Sequence, residues 1–221
     1  MAGQSFTSDG LLHAFITGPN GNGMTDLGTL GGPFSSSFAT SINDAGQVAG
    51  FSDTADPGGT HTFITGPNGI EMKDIGVLSY VSYAHGINGS GQVVGYSPSA
   101  DPHAFITGPN GIGITSINTS DGSNSLAFGI NDAGQVVGES WAFPSNTSHA
   151  FVTSPDGVGM IDLNSLVDLP NGIILTQAVD INNVGQVLAI SSAVPEPEIY
   201  ALFLAGLGMM AAMVRRRSTE A

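Results

Sequence analysis

Four of the five histidines recur once per repeated segment, at His13, His61, His103 and His149. Imidazole is a common transition-metal ligand, and four such strands lining one channel would bring four rings onto a single ion. A structural role competes with this, in which each histidine hydrogen-bonds a neighbouring blade and fixes its tilt. Within His13-Ala14-Phe15-Ile16-Thr17, strand alternation sends His, Phe and Thr to one face. That sets each histidine beside a packed ring rather than in an open polar channel, so no metal site is expected. His85 stands outside the pattern, where other units carry Thr40, Phe128 and Val179, and reads as incidental.

Other chemistries are thinly provided for. Asp53, Asp56, Asp101 and Asp121 lie in loops and suit calcium, but no segment carries the alternating Asp-x-Asp-x-Asp-Gly loop, and solvated charge is the better reading. The acids scatter through turns that differ between units, so paired carboxylates facing across a cleft are not expected. There is no Gly-x-Ser-x-Gly elbow and no lysine in the Gly-rich turns. With no cysteine, thiolate metal sites, disulfides and a cysteine nucleophile are excluded. An enzyme and a cofactor are therefore not expected. Trp141 is the single tryptophan, and Phe143 shares its side if that segment is extended; such a pair can stack on a sugar ring, or simply plug a gap between blades.

The elements that carry these residues are written four times. The triplet strand at His13 returns as His61-Thr62-Phe63, His103-Ala104-Phe105 and His149-Ala150-Phe151. A second block, Ile42-Asn43-Asp44-Ala45-Gly46-Gln47-Val48, returns at Ile87, Ile130 and Ile181, so the period is near 45 residues. Short strands at such a period signal a propeller or solenoid. Each unit resolves into two hairpins. The first turns through Gly18-Pro19-Asn20-Gly21, where proline presets the turn and glycine takes positive φ. The second turns at Asn43-Asp44-Ala45-Gly46. Repeated Gln47, Gln92, Gln135 and Gln186, with Asn43, Asn88, Asn131 and Asn182, read as partners for turn backbone groups. The third unit departs at Ile114-Thr115-Ser116, where the others have a Met and an Asp. The expected fold is all-β and propeller-like, with about four four-stranded blades.

Composition agrees with this. The 221 residues are 41% hydrophobic and only 10% charged, and 32 are glycine, as many short strands and tight turns require. The formal net charge is −14, from 18 acids against four bases. Three of those bases are Arg215, Arg216 and Arg217, so the body holds only Lys73. Such a body is repelled by phosphate backbones, which excludes ordinary nucleic-acid binding.

The tail differs in kind. Ile199 to Val214 carries no charge and ends at the arginine cluster. As a helix it spans roughly 24 Å. The hydrocarbon core is about 30 Å, a mismatch that snorkelling arginines and local thinning absorb. The arginines are expected to stay cytoplasmic, leaving the body outside. A buried core helix is the alternative, but the run shows no polar face. Val194-Pro195-Glu196-Pro197 precedes it as an extended linker open to processing. Met1 to Gly10 has neither basic residues nor an apolar stretch. A signal-bearing segment upstream is therefore expected, with residues 1–12 the remnant of an earlier repeat.

Two resemblances follow from these residues. The order Val194-Pro195-Glu196-Pro197, apolar helix, Arg215-Arg216-Arg217 resembles the PEP-CTERM sorting signal. That resemblance implies an exosortase-type membrane protease as partner, inner-membrane anchoring before processing, and release to the cell surface or beyond. The paired blocks resemble the HAF family of extracellular repeats, which has no established enzymatic activity, so the resemblance implies an extracytoplasmic location and little else. The expected organisation is four repeats over 13–190, a Pro/Glu linker over 191–198, and a transmembrane helix with basic tail over 199–221. The expected function is a surface or matrix protein that binds or organises exopolysaccharide, with a ligand-free spacer as the alternative.

Overall fold

The computed structural model describes residues 1–98, 101–119, 124–141 and 147–193. It is all-β apart from single 3₁₀ turns, with seventeen strands in five antiparallel sheets. The first sheet is β1 (Ala2–Phe6), β2 (Leu12–Thr17) and β3 (Met24–Gly28). The second is β4 (Ser37–Ile42), β5 (Val48–Asp53), β6 (Thr60–Thr65) and β7 (Met72–Asp74). The third is β8 (Tyr83–Ile87), β9 (Val93–Ser97), β10 (His103–Thr107) and β11 (Ile114–Ser116). The fourth is β12 (Asn124–Ile130), β13 (Val136–Trp141), β14 (His149–Thr153) and β15 (Met160–Asp162). The fifth is the hairpin β16 (Ile173–Ile181) and β17 (Val187–Ala193).

The sequence repeat and the structural repeat are out of phase. The sequence suggests blades that begin with the His-Ala-Phe hairpin, in four complete copies. Instead each four-stranded sheet begins with the Asn-x-x-Gly hairpin of one unit and ends with the His-Ala-Phe hairpin of the next. Three sheets are therefore complete, flanked by a three-stranded and a two-stranded one. The physical reason lies in the joint between β5 and β6. Gly50 lies opposite Phe63 in the register, and a Cβ there would sit 2.8 Å from the Phe63 ring and 2.0 Å from the Phe38 carbonyl oxygen. The glycine thus leaves the space that the phenylalanine fills, and Gly95 opposite Phe105 and Gly138 opposite Phe151 repeat the arrangement. Thr65, Thr107 and Thr153 complete the joint by accepting the N–H of Val48, Val93 and Val136, each at 2.9 Å.

The sheets pack face to face, and the core is divided among four such interfaces. Ala14, Ile16 and Leu27 of the first sheet meet Val48 and Phe63 of the second. Ala49, Ile64 and Ile75 meet Val93 and Phe105 of the third. Val94, Ile106 and Ile117 meet Val136 and Phe151 of the fourth. Val137, Ala150 and Leu163 meet Ala178 and Ile181 of the fifth. Phe63, Phe105 and Phe151 are wholly buried, and each such ring contributes about 1.5–3 kcal/mol of transfer free energy. Among the described residues the five sheets do not close into a ring. The apolar run at 199–214 lies outside the described residues, and among those residues no helix is long and apolar enough to cross a membrane.

Polar groups tie the sheets together at one end of the stack. Asn43 uses its Oδ1 to accept the Gln47 N–H across the turn and its Nδ2 to reach the carbonyl of Asn88 in the next sheet, at 3.0 Å. Asn88 reaches Asn131, and Asn131 reaches Asn182, in the same way. Gln47 also donates to Asn110 at 3.2 Å, and Gln92 to Asp156 at 3.3 Å. These side chains serve the turns as the sequence suggests, and they also join neighbouring sheets.

Candidate functional site

The first strand of every later sheet carries an extra residue at the same place, and β16 carries a second at Thr176. The register slips between Ala39 and Ser41, Ala84 and Gly86, Ala127 and Gly129, and Ala178 and Asp180. The residues at these bulges are Thr40, His85, Phe128 and Val179. A bulge turns its residue out of the regular alternation and re-aims the side chain. Here the bulges sit on adjacent sheets, and His85, Phe128 and Val179 form a row that lines one cleft.

Aromatic rings extend that row. Phe38 stacks on Phe51 with centroids 5.0 Å apart, and Phe51 meets Tyr83 of the next sheet edge-on at 4.9 Å. Tyr83 leads to Tyr96 at 5.6 Å, Tyr96 stacks with His85 at 5.5 Å, and His85 meets Phe128 of the following sheet edge-on at 5.4 Å. All six rings are half-buried. Beside them a cleft of about 290 Å³ is lined by Ser41, His85, Phe128, Val179 and Asp180. Burial holds the His85 imidazole below its ordinary value of 6.5, so the ring in the row is neutral at neutral pH. Burial, and then the neighbouring Tyr83, push the Tyr96 hydroxyl up. Glu139 takes the place that Phe51 and Tyr96 hold in earlier sheets; burial raises its carboxyl although Gln177 donates a hydrogen bond to it. The arrangement offers a half-exposed aromatic strip from Phe38 to Phe128, with the His85 imidazole and the Tyr83 and Tyr96 hydroxyls within it, a surface suited to stacking and hydrogen bonding.

The residues singled out in the sequence lie elsewhere. The four histidines do not converge. His13 Nδ1 lies 2.8 Å from an Asp26 carboxylate oxygen, His61 Nδ1 2.8 Å from Asp74, and His149 Nδ1 2.7 Å from Asp162. Each partner stands on the adjoining strand of the same sheet, which corrects the expectation of a bond to a neighbouring blade. His103, facing the unit that lacks the aspartate, turns to the carbonyl of Pro102 at 2.9 Å. Burial pushes the Asp26 and Asp162 carboxyls up. At Asp26 the Gly28 N–H and His13 outweigh it, and at Asp162 His149 and the Asn164 amides do so, leaving both below the usual carboxylate value. Among the described residues no group of three or more His, Asp or Glu side chains is placed to hold a metal ion. Asp53 caps the Ser36 N–H at 2.9 Å. Asp56 and Asp101 lie on loops, and Asp121 falls outside the described residues. Trp141 ends β13 half-buried opposite Asn124, two residues along the strand from Glu139, and Phe143 lies outside the described residues.

His85 is the residue that sequence reasoning missed. A signal was present: between the constant Ala and Ile of this strand the residue changes from Thr to His to Phe to Val, and the one after it from Ser to Gly to Gly to Asp.

At the other end of the chain, residues 193–217 match the PEP-CTERM protein-sorting motif. The chain carries an exosortase sorting signal. The match takes in Val194, Pro195, Glu196 and Pro197, the apolar run and Arg215 to Arg217, all of which lie outside the described residues. Signals of this kind are processed by exosortase, a membrane protease, and imply export with membrane anchoring before release to the surface. No curated protein matches the chain.

Proposed function

We propose that this exported, exosortase-sorted protein acts at the cell surface or in the extracellular matrix, where its HAF-type, propeller-like stack of β-sheets binds or organises exopolysaccharide. The observation that carries the reading is the sorting motif at 193–217, which supports export of the body to the cell surface. The aromatic row from Phe38 to Phe128 supports a sugar ligand, since pyranose faces stack on such rings and the flanking groups hydrogen-bond hydroxyls. A body of this charge favours neutral or cation-bridged glycans over strongly anionic ones. Binding without catalysis fits the state of the acids, because Asp26, Asp74 and Asp162 are each engaged by a histidine of their own hairpin.

A glycan array probed with the full chain tests the ligand. Wild type should retain a defined set of polysaccharides, Tyr96→Ala with His85→Ala should lose them, and Trp141→Ala should leave binding intact. No retention by wild type would favour the ligand-free spacer. Loss with Trp141→Ala alone would move the site to that tryptophan. The sorting arm predicts that tagged protein, supplied with an export signal, shifts to a smaller species only in cells that contain its exosortase. Changing Arg215, Arg216 and Arg217 to Ser should weaken membrane retention or invert topology.

A further inference from the structure

The fifth sheet is half of a sheet, and the rest of the chain specifies the missing half. In the second, third and fourth sheets the strand equivalent to β17 is covered by a hairpin of the β6–β7 type. Among the described residues β17 pairs only with β16, and none of them lies along its other edge. Leu188 holds the place of Ala49, Val94 and Val137; those three are wholly buried, whereas Leu188 is 64% exposed and Val184 79% exposed. Gln47 and Gln92 each donate to a turn asparagine or aspartate of a following hairpin, and among the described residues no such hairpin follows for Gln135.

The first sheet presents the complementary half. The turn Pro19–Gly21 matches Pro67–Gly69, Pro109–Gly111 and Pro155–Gly157, yet Asn20 and Gly21 are exposed and no atom lies within 4 Å of a Cβ built on Gly21. In the other three turns the same glycine sits over an apolar pair of the preceding sheet: Gly69 over Ile16 and Leu27, Gly111 over Ile64 and Ile75, Gly157 over Ile106 and Ile117. The next pair in that series, Val152 and Leu163, has no such turn upon it. Only β1, a five-residue strand bonded to β2 and closed by the turn after Phe6, occupies the edge that β17 would use.

We propose that β17 is the docking edge for the β2–β3 hairpin of a second copy of this chain, which displaces its own β1 and completes the fifth sheet of its neighbour. The existing joints dictate the register. Ala49 lies opposite Ile64, Val94 opposite Ile106 and Val137 opposite Val152, so Leu188 lies opposite Ile16 and Ala189 opposite Phe15. Ala189 fits, because a Cβ at Gly3, which faces Phe15 now, would stand 3.2 Å from the ring and require a shift of only a few tenths of an ångström. Asn20 then takes the hydrogen bond from Gln135, and Gly21 seats on Val152 and Leu163. The contact is heterologous and leaves an open β17 on the second copy, so it propagates head to tail. The occupant is inferred from continuity with an interface already made three times within one chain.

The chain has no cysteine, which makes the test direct. Full-length Asn20→Cys and Gln135→Cys proteins, each purified in mild detergent, are mixed and treated with a short bis-maleimide. The expected result is a covalent dimer in the mixture, about tenfold above either variant alone, and lost when the Gln135→Cys chain also carries Leu188→Lys. Absence of the mixed dimer overturns the proposal. Equal dimer with Gln135→Cys alone overturns it in favour of β17 pairing with itself. Cross-linking of an Asn20→Cys, Gln135→Cys double variant within one chain, without dimer, overturns it in favour of ring closure by the chain's own hairpin. A second measurement needs no cysteine: the mass of the unmodified protein should rise with concentration and that of Leu188→Lys should not, and a concentration-independent monomer counts against the proposal.

Discussion

The third sheet and the fifth are built from the same words and fare differently. In the third, Val93, Val94 and Phe105 are wholly buried, because a sheet lies on either side. In the fifth, Val187 is half-buried and Leu188 and Ile190 are exposed, because one face and one edge lack neighbours. The first sheet shows the mirror case, with Phe15 only half-buried where Phe63, Phe105 and Phe151 are sealed. Burial here is a property of position in the stack and not of the repeat motif. Stability should therefore be greatest in the middle and fall toward both ends, as nearest-neighbour models of repeat proteins hold.

The largest test of this contrast compares two phenylalanines. Phe105→Ala should destabilise the protein by about 3–5 kcal/mol, whereas Phe15→Ala should cost well under half as much. Urea unfolding with a probe in each region reads both, and equal losses would break the contrast. Next come the asparagines. Asn88 is buried, links Gln92 to the next sheet and satisfies its N–H, so Asn88→Ala should cost about 1–3 kcal/mol. Asn182 makes the same turn bonds in the exposed last sheet, and Asn182→Ala should stay within about 0.5 kcal/mol.

Smaller effects come from pH. The folded pKa of His85 is depressed, so its contribution to stability is complete above about 6.5 and declines as pH falls from there through the folded value. His85→Phe should flatten that decline, and an NMR titration should place the His85 midpoint below those of the histidines in unfolded protein. Smallest of all is the acid limb. Asp26 and Asp162 have depressed folded values, so their share is present above the unfolded carboxylate pKa and is lost as pH falls below about 4. Both are well exposed, and screening keeps the effect slight. Hydrogen exchange across pH 3 to 5, as a rough window set by ordinary carboxylates, should show the hairpin of His103, which has no such aspartate, least affected.

Much of this fold is legible in the sequence, because turn chemistry and strand alternation are local. Pro-Asn-Gly marks its turns, although both Asn68 and Gly69 adopt positive φ, so the asparagine as well as the glycine takes the left-handed position. What stayed hidden is long-range. Nothing in one unit says that Gly50 faces Phe63 from the following unit, and so the phase of the blades was read half a repeat out. The bulge at His85 was hidden for a related reason: an inserted residue looks like ordinary strand until its partner is known. The histidine–aspartate pairs are thirteen residues apart across a hairpin that the turn announces, but its register, which sets each imidazole beside the carboxylate, is not written in the motif.

The division of the core into separate interfaces has an evolutionary corollary. A layer that touches only the layer before it and the one after can be duplicated or deleted at the cost of a single seam. Descendants of this architecture are free to differ in length while every remaining seam keeps its fit, and a surface laid across the layers would grow or shrink in steps of one ring.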